Sequence, residues 1–160
     1  MTHSHWLEST RGYIALGMLD EAWKTLDSVP DESRDHPDFR KQRIVILLNR
    51  KDYEGAFEHS KKLIAGHPND HEGYIQAAYS LHELGRSDEA RECLQTGPDS
   101  MREEPLYFYN LGCYDLSVGN TDAAVAWLKR SFEMNPRLLP QALEDPDLSA
   151  IHEVLKEEKA

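Results

Sequence analysis

The chain has 160 residues, enough for one domain with a sizeable core. With 39% hydrophobic and 29% charged residues and a formal net charge of -11, it has an ordinary globular composition and a surface that repels phosphate backbones and anionic lipids. Nucleic acid and membrane surface are therefore poor default partners, no apolar run approaches the roughly 20 residues needed to span a bilayer, and basic or neutral peptides remain.

In chain order, apolar residues at three- and four-residue spacing predict a train of short helices, and no segment alternates as a strand does. The first helix covers about residues 4–16, with Ser4 as N-cap; its Glu8 and Arg11 make it amphipathic rather than a signal peptide. The second covers about 19–29 and opens at Asp20. The third covers about 38–50 behind Pro37, and the fourth about 52–66, opened by Asp52. The fifth spans about 70–84, the sixth about 87–97 capped by Ser87, the seventh about 105–118, and the eighth about 121–135 capped by Asn120 or Thr121. A ninth helix is expected over about 146–157, started by Asp145-Pro146, with Leu148, Ile151 and Leu155 on one side and polar residues on the other. Helices this short are marginal alone, so stacking on neighbours must stabilise them.

The helices repeat. Gly17, Lys51, Gly85 and Gly119 stand 34 residues apart, as do Ala22, Ala56, Ala90 and Ala124. Glycine just past a helix tolerates the left-handed C-cap conformation, so a strained or differently shaped turn is expected at Lys51. A slower beat of 68 residues pairs Pro30 with Pro98, Pro37 with Pro105, and Pro68 with Pro136. Because proline clashes in a helix interior, the second helices should alternate in length. Those of repeats one and three should stop near Val29 and Gly97, and those of repeats two and four should run to Gly66 and Asn135.

These residues resemble the tetratricopeptide repeat family, helix-turn-helix units of 34 residues. The fourth unit carries Phe108, Leu111-Gly112, Gly119, Ala124, Leu128 and Pro136; the first carries Trp6, Tyr13, Gly17, Ala22 and Leu26. The third carries Tyr74, Ala77-Ala78, Leu81, Gly85, Ala90 and Leu94, and the weaker second carries Leu47, Tyr53, Ala56, Leu63 and Pro68. The resemblance implies an all-α, right-handed α-α superhelix in a single domain. Four helix-turn-helix repeats at about 4–36, 38–69, 71–103 and 105–137 are followed by a C-terminal capping helix at about 146–157. ALEDPDLSAIHEVL looks like the capping helix common in bacterial members, with the wet outer face that a solenoid end needs.

In this family the first helix of each unit lines a concave groove that holds peptides. Carried over, the groove positions include Arg11, Lys41, Val45, Asn49, Tyr79, His82, Tyr109 and Cys113. Positions matching the clamp of chaperone-binding members hold Leu7, Arg11, Val45, Ile75 and Tyr79, which does not fit that clamp, so that partner is not expected. Asn49 could hydrogen-bond a peptide backbone. Tyr79, Tyr109 and Leu106 either anchor a partner or bury against the curve of the solenoid or the C-terminal tail.

No phosphate-binding glycine loop or nucleophile elbow is present, so an enzyme and a cofactor are not expected. His3 and His5 beside Trp6 fall short of a four-ligand metal site, and His59, His67 and His71 read as solvated. Cys93 and Cys113 read as buried apolar residues rather than a redox pair, in a reduced, cytoplasmic setting. The expected function is a non-enzymatic interaction module holding a peptide or helix of a protein partner. The alternatives are a small acidic secretion-type chaperone or a self-associating adaptor, for which homo-oligomers are possible.

Overall fold

The computed structural model describes residues 2–157 and, among them, is helical throughout. Four helical hairpins follow one another. They are α1 (His3–Ala15) with α2 (Leu19–Asp27), α3 (Pro37–Asn49) with α4 (Tyr53–Gly66), α5 (His71–Glu83) with α6 (Ser87–Gln95), and α7 (Pro105–Ser117) with α8 (Thr121–Met134). The chain closes with α9 (Leu138–Glu144), a 3-10 helix (Pro146–Ile151) and α10 (His152–Lys156).

All four hairpin turns have one shape. Gly17, Gly85 and Gly119 adopt φ of 72°, 77° and 88°, and Lys51 is forced to 59°. Each turn closes with the same backbone bond spanning five residues: Met18 to Tyr13, Asp52 to Leu47, Arg86 to Leu81 and Asn120 to Asp115. This is the Schellman C-cap, which satisfies carbonyls that a helix end leaves unpaired. The Lys51 turn is thus strained, not reshaped.

The second helices alternate in length, with 9, 14, 9 and 14 residues. The short ones end at Asp27 and Gln95, two residues before the expected Val29 and Gly97. Pro30 and Pro98 then open 3-10 turns at Asp31–Ser33 and Asp99–Glu103. Two caps differ from expectation, and a third, Asn120, stands where expected without a cap bond. Thr2, not Ser4, caps α1 by accepting from the His5 amide. Ser87 lies inside α6, whose cap is Arg86. Asn120 makes no cap bond and instead donates its side-chain amide to Asp115 at 3.0 Å.

Ala22, Ala56, Ala90 and Ala124 are fully buried where paired helices touch. At Gly112 a Cβ would lie 2.6 Å from Leu128 Cγ and 3.1 Å from the Ala124 carbonyl, so α7 and α8 approach more closely than a larger residue permits. Trp6, Leu26 and Phe39 anchor the N-terminal core, Tyr74, Leu94, Met101 and Tyr114 the middle, and Leu128, Leu148 and Leu155 the C-terminal end. The first helices of successive hairpins touch one another, α1 with α3, α3 with α5 and α5 with α7, whereas the second helices make no comparable contact among themselves. The more closely spaced row lies inside the curve.

The tail differs from a single helix over 146–157. α9 is additional, with no helix expected over 138–144: Pro140 falls in its first helical turn, where its missing amide has no partner to lose. Asp145 then caps the 3-10 helix by accepting from the Asp147 amide, and the helix becomes α-helical only at His152. Leu148, Ile151 and Leu155 bury against Leu128 and Phe132. The reason is packing: the tail must turn from α8 across the end of α7, which a straight helix cannot do.

Candidate functional site

The inner row separates the sequence-derived groove positions into groups. Arg11 on α1 is exposed. Asn49 is exposed at the end of α3, but its amide donates to the Val45 carbonyl of its own helix at 2.8 Å. Lys41 is paired, with Nζ 2.7 Å from Asp70 and 3.4 Å from Glu72. Burial works against the Lys41 charge, but the two carboxylates outweigh it and raise its pKa. Because Asp70 also caps α5, this pair ties the second hairpin to the third.

Tyr79, His82, Tyr109 and Cys113 converge. With Asn110, Tyr114, Asp145 and Asp147 they line a pocket of about 140 Å³ between α5, α7 and the tail. Tyr79 is 40% exposed at its rim and stacks edge-on against Tyr53, with ring centroids 6.4 Å apart. Tyr109 is half-buried and donates its hydroxyl to Asp145 at 2.7 Å. His82 bonds Ser87 Oγ through Nδ1 at 2.8 Å and faces Asp147 with Nε2 at 3.6 Å. Its ring lies 5.0 Å from that of Tyr114. Tyr114 is 2% exposed, and its hydroxyl has no hydrogen-bond partner in the fold. A buried hydroxyl left unpaired costs about 1–3 kcal/mol.

The field in this pocket is negative. Burial, then hydrogen bonding to Asp145, pushes the Tyr109 phenol far up; burial, then Asp145 and Asp147, does the same to the Cys113 thiol. Burial followed by Glu83 raises Tyr79. Cys113 is therefore held as a thiol, not as a nucleophilic thiolate. Nor do Ser87, His82 and Asp147 form a nucleophile relay. The Ser87 hydroxyl is buried and directed to Ser117 at 3.1 Å, and Asp147 stands beyond hydrogen-bond reach of the ring.

Several contacts were invisible in the sequence. His67 Nε2 bonds the Asp35 carbonyl at 3.1 Å, and His71 Nε2 bonds Ser100 Oγ at 2.7 Å, so both are held at the connections between hairpins instead of standing free in solvent. His59 is half-buried, and burial, followed by Lys62, Arg40 and Arg43, lowers its pKa to about 4. Asp115 is a buried carboxylate that accepts from Arg91 at 2.7 Å, Trp127 at 2.8 Å and Asn120 at 3.0 Å, joining α6, α7 and α8.

Models of the tetratricopeptide repeat match residues 47–109 and 106–138, together more than half of the chain. The chain belongs to the tetratricopeptide repeat family. It is similar in structure to pilF of Pseudomonas aeruginosa, at 19% identity, TM-score 0.79, and 96% of this chain against 69% of that one. It is similar to MamA from Desulfovibrio magneticus RS-1, at 15% identity, TM-score 0.78, and 96% against 89% coverage. A third likeness is to TTC0263, a thermophilic repeat protein in Thermus thermophilus, at 17% identity, TM-score 0.70, and 94% against 79% coverage. Identities this low establish a shared helical-repeat superhelix and nothing finer. No curated protein matches the chain. The repeats make it a protein-protein interaction module in general terms, and no helix among the described residues is long and apolar enough to cross a membrane.

Proposed function

We propose that this module is non-enzymatic and takes a segment of a partner protein along its inner face, with the pocket at Tyr79 as the anchoring point. One observation carries this reading: the pocket combines an exposed tyrosine rim with a deeply buried hydroxyl that the fold leaves unpartnered. Aromatic rims are enriched where binding energy concentrates. The wall chemistry favours a basic side chain, since Tyr79, Tyr109 and Tyr114 surround a space bordered by Asp145 and Asp147. Tyrosine faces and carboxylates both attract cations, and the -11 surface assists approach.

The test is site-specific photocrosslinking in the native host extract. A photoreactive residue replaces Tyr79 in one sample and Glu133, exposed on the outer helix α8, in another. Crosslinks to one protein from position 79, abolished by an added lysine-rich peptide and absent from position 133, are expected. Equal crosslinking from both positions, or none from position 79, overturns the reading.

A further inference from the structure

We propose that His3, His36 and Asp38 form a binding site for a divalent transition-metal ion, of the class that includes zinc, cobalt and nickel. His3 stands at the start of α1, whereas His36 caps α3 and Asp38 lies in its first turn. The docking of α1 on α3 brings these distant positions together. His3 Nε2 lies 3.1 Å from Asp38 Oδ2, and His36 Nδ1 lies 3.6 Å from the same oxygen. The imidazole rings are 4.3 Å apart between centroids, and one donor atom from each residue lies within 4.8 Å of the other two.

These separations suit the ion. Zinc bound tetrahedrally at roughly 2.0–2.1 Å from nitrogen and oxygen places neighbouring donors about 3.3 Å apart. The 3.1 and 3.6 Å spacings to Asp38 bracket that value, and the two imidazole donors lie within 4.8 Å of each other, so side-chain shifts can bring all three around one ion. The chemistry also fits. Two imidazoles and one carboxylate select zinc and its first-row neighbours over calcium or magnesium, which take oxygen donors. His36 Nδ1 already accepts the Asp38 amide at 3.2 Å, which requires a lone pair on that nitrogen, the form that also binds a metal. The ion displaces this cap bond, and water completes the fourth position. All three side chains reach solvent, so the ion has a path in.

Among the described residues, the other grouping of this kind, His82 with Glu83 and Asp147, offers a single imidazole whose Nδ1 is engaged by Ser87. It serves as an internal comparison. His5, the neighbour that makes His3 look like part of a short terminal pair, is exposed and absent from the cluster. The proposed ion clips the first helix to the second hairpin.

The full chain, prepared without a histidine tag, is titrated with zinc by calorimetry and with cobalt by visible absorption. One ion per chain, tetrahedral cobalt bands and a raised thermal midpoint are expected. Removing a ligand should weaken binding by about tenfold or more, in H3A, H36A and D38N alike. H5A and H82A should bind as the parent does. H3A keeps the test sharp, because His3 is half-exposed and its loss leaves the α3 cap intact. Unchanged affinity in H3A and H36A overturns the proposal, as does binding that follows His5 or His82, or no binding at millimolar metal.

Discussion

The Tyr109 hydroxyl donates to Asp145 across 2.7 Å, tying the inner helix of the fourth hairpin to the start of the terminal cap. Tyr109 is thereby a structural clasp, while Tyr79 across the pocket remains 40% exposed. Tyr109→Phe should cost about 1.5–3 kcal/mol, the range for a hydrogen bond to a charged acceptor. Amide hydrogen exchange should quicken through residues 146–157 before any other segment. Tyr79→Ala, which removes a 40% exposed rim residue packed edge-on against Tyr53, should cost about 1 kcal/mol in urea unfolding.

Asp115 accepts three donors from three elements and is 3% exposed. Asp115→Ala should cost about 1–3 kcal/mol, because it removes the shared acceptor of Trp127 and Asn120, while the partly exposed Arg91 keeps Asp88 at 3.7 Å. Burial raises the carboxyl pKa, but the bonds from Asn120, Arg91 and Trp127 outweigh it and the net shift is downward. A depressed folded value means the unfolded chain binds the proton more tightly. The contribution is therefore complete above the ordinary aspartate value of about 3.9 and is lost as pH falls through the folded value. Unfolding scans at falling pH should show this loss in the parent and not in Asp115→Ala.

Lys51 holds a φ of 59° that glycine occupies in the three sister turns. Lys51→Gly should stabilise the chain by about 1 kcal/mol, since the left-handed strain of an L-residue exceeds the entropic cost of glycine there. The comparison is the urea midpoint at unchanged slope. Gly112→Ala should act oppositely, by about 1–3 kcal/mol, because its methyl overlaps Leu128 and the Ala124 carbonyl.

Burial pushes the Cys93 thiol up to about 11 and Cys113 higher still. Both should react with iodoacetamide far more slowly in the folded chain than in urea, and mass spectrometry after mild oxidation should find no disulfide between them. The structure leaves both partly buried rather than fully buried as the sequence suggests, and native alkylation as fast as in urea would contradict even that placement.

The sequence by itself determined the repeat. Period, helix identity, turn glycines and the short-long alternation of outer helices arise from contacts within a few residues: a C-cap needing positive φ, a proline that stops a helix, an alanine under a close crossing. α9 escaped that reading because Pro140 breaks a helix interior and is harmless in a first turn, and only the packing of Leu138 and Ala142 shows which case applies. The sequence also nominated Tyr79 and Tyr109 together, as two aromatics on successive inner helices, although Tyr79 corresponds by repeat to Cys113 and Tyr109 to Ile75. Which one stays exposed was decided by the tail, since Asp145 lies 36 residues from Tyr109 and reaches it only once the cap has folded back. The Asp115 junction and the cluster of His3 with His36 and Asp38 share that origin. Helix periodicity reports which face of a segment is apolar, whereas the partners of a polar side chain are set by how separate hairpins stack, and that is a property of the tertiary structure alone.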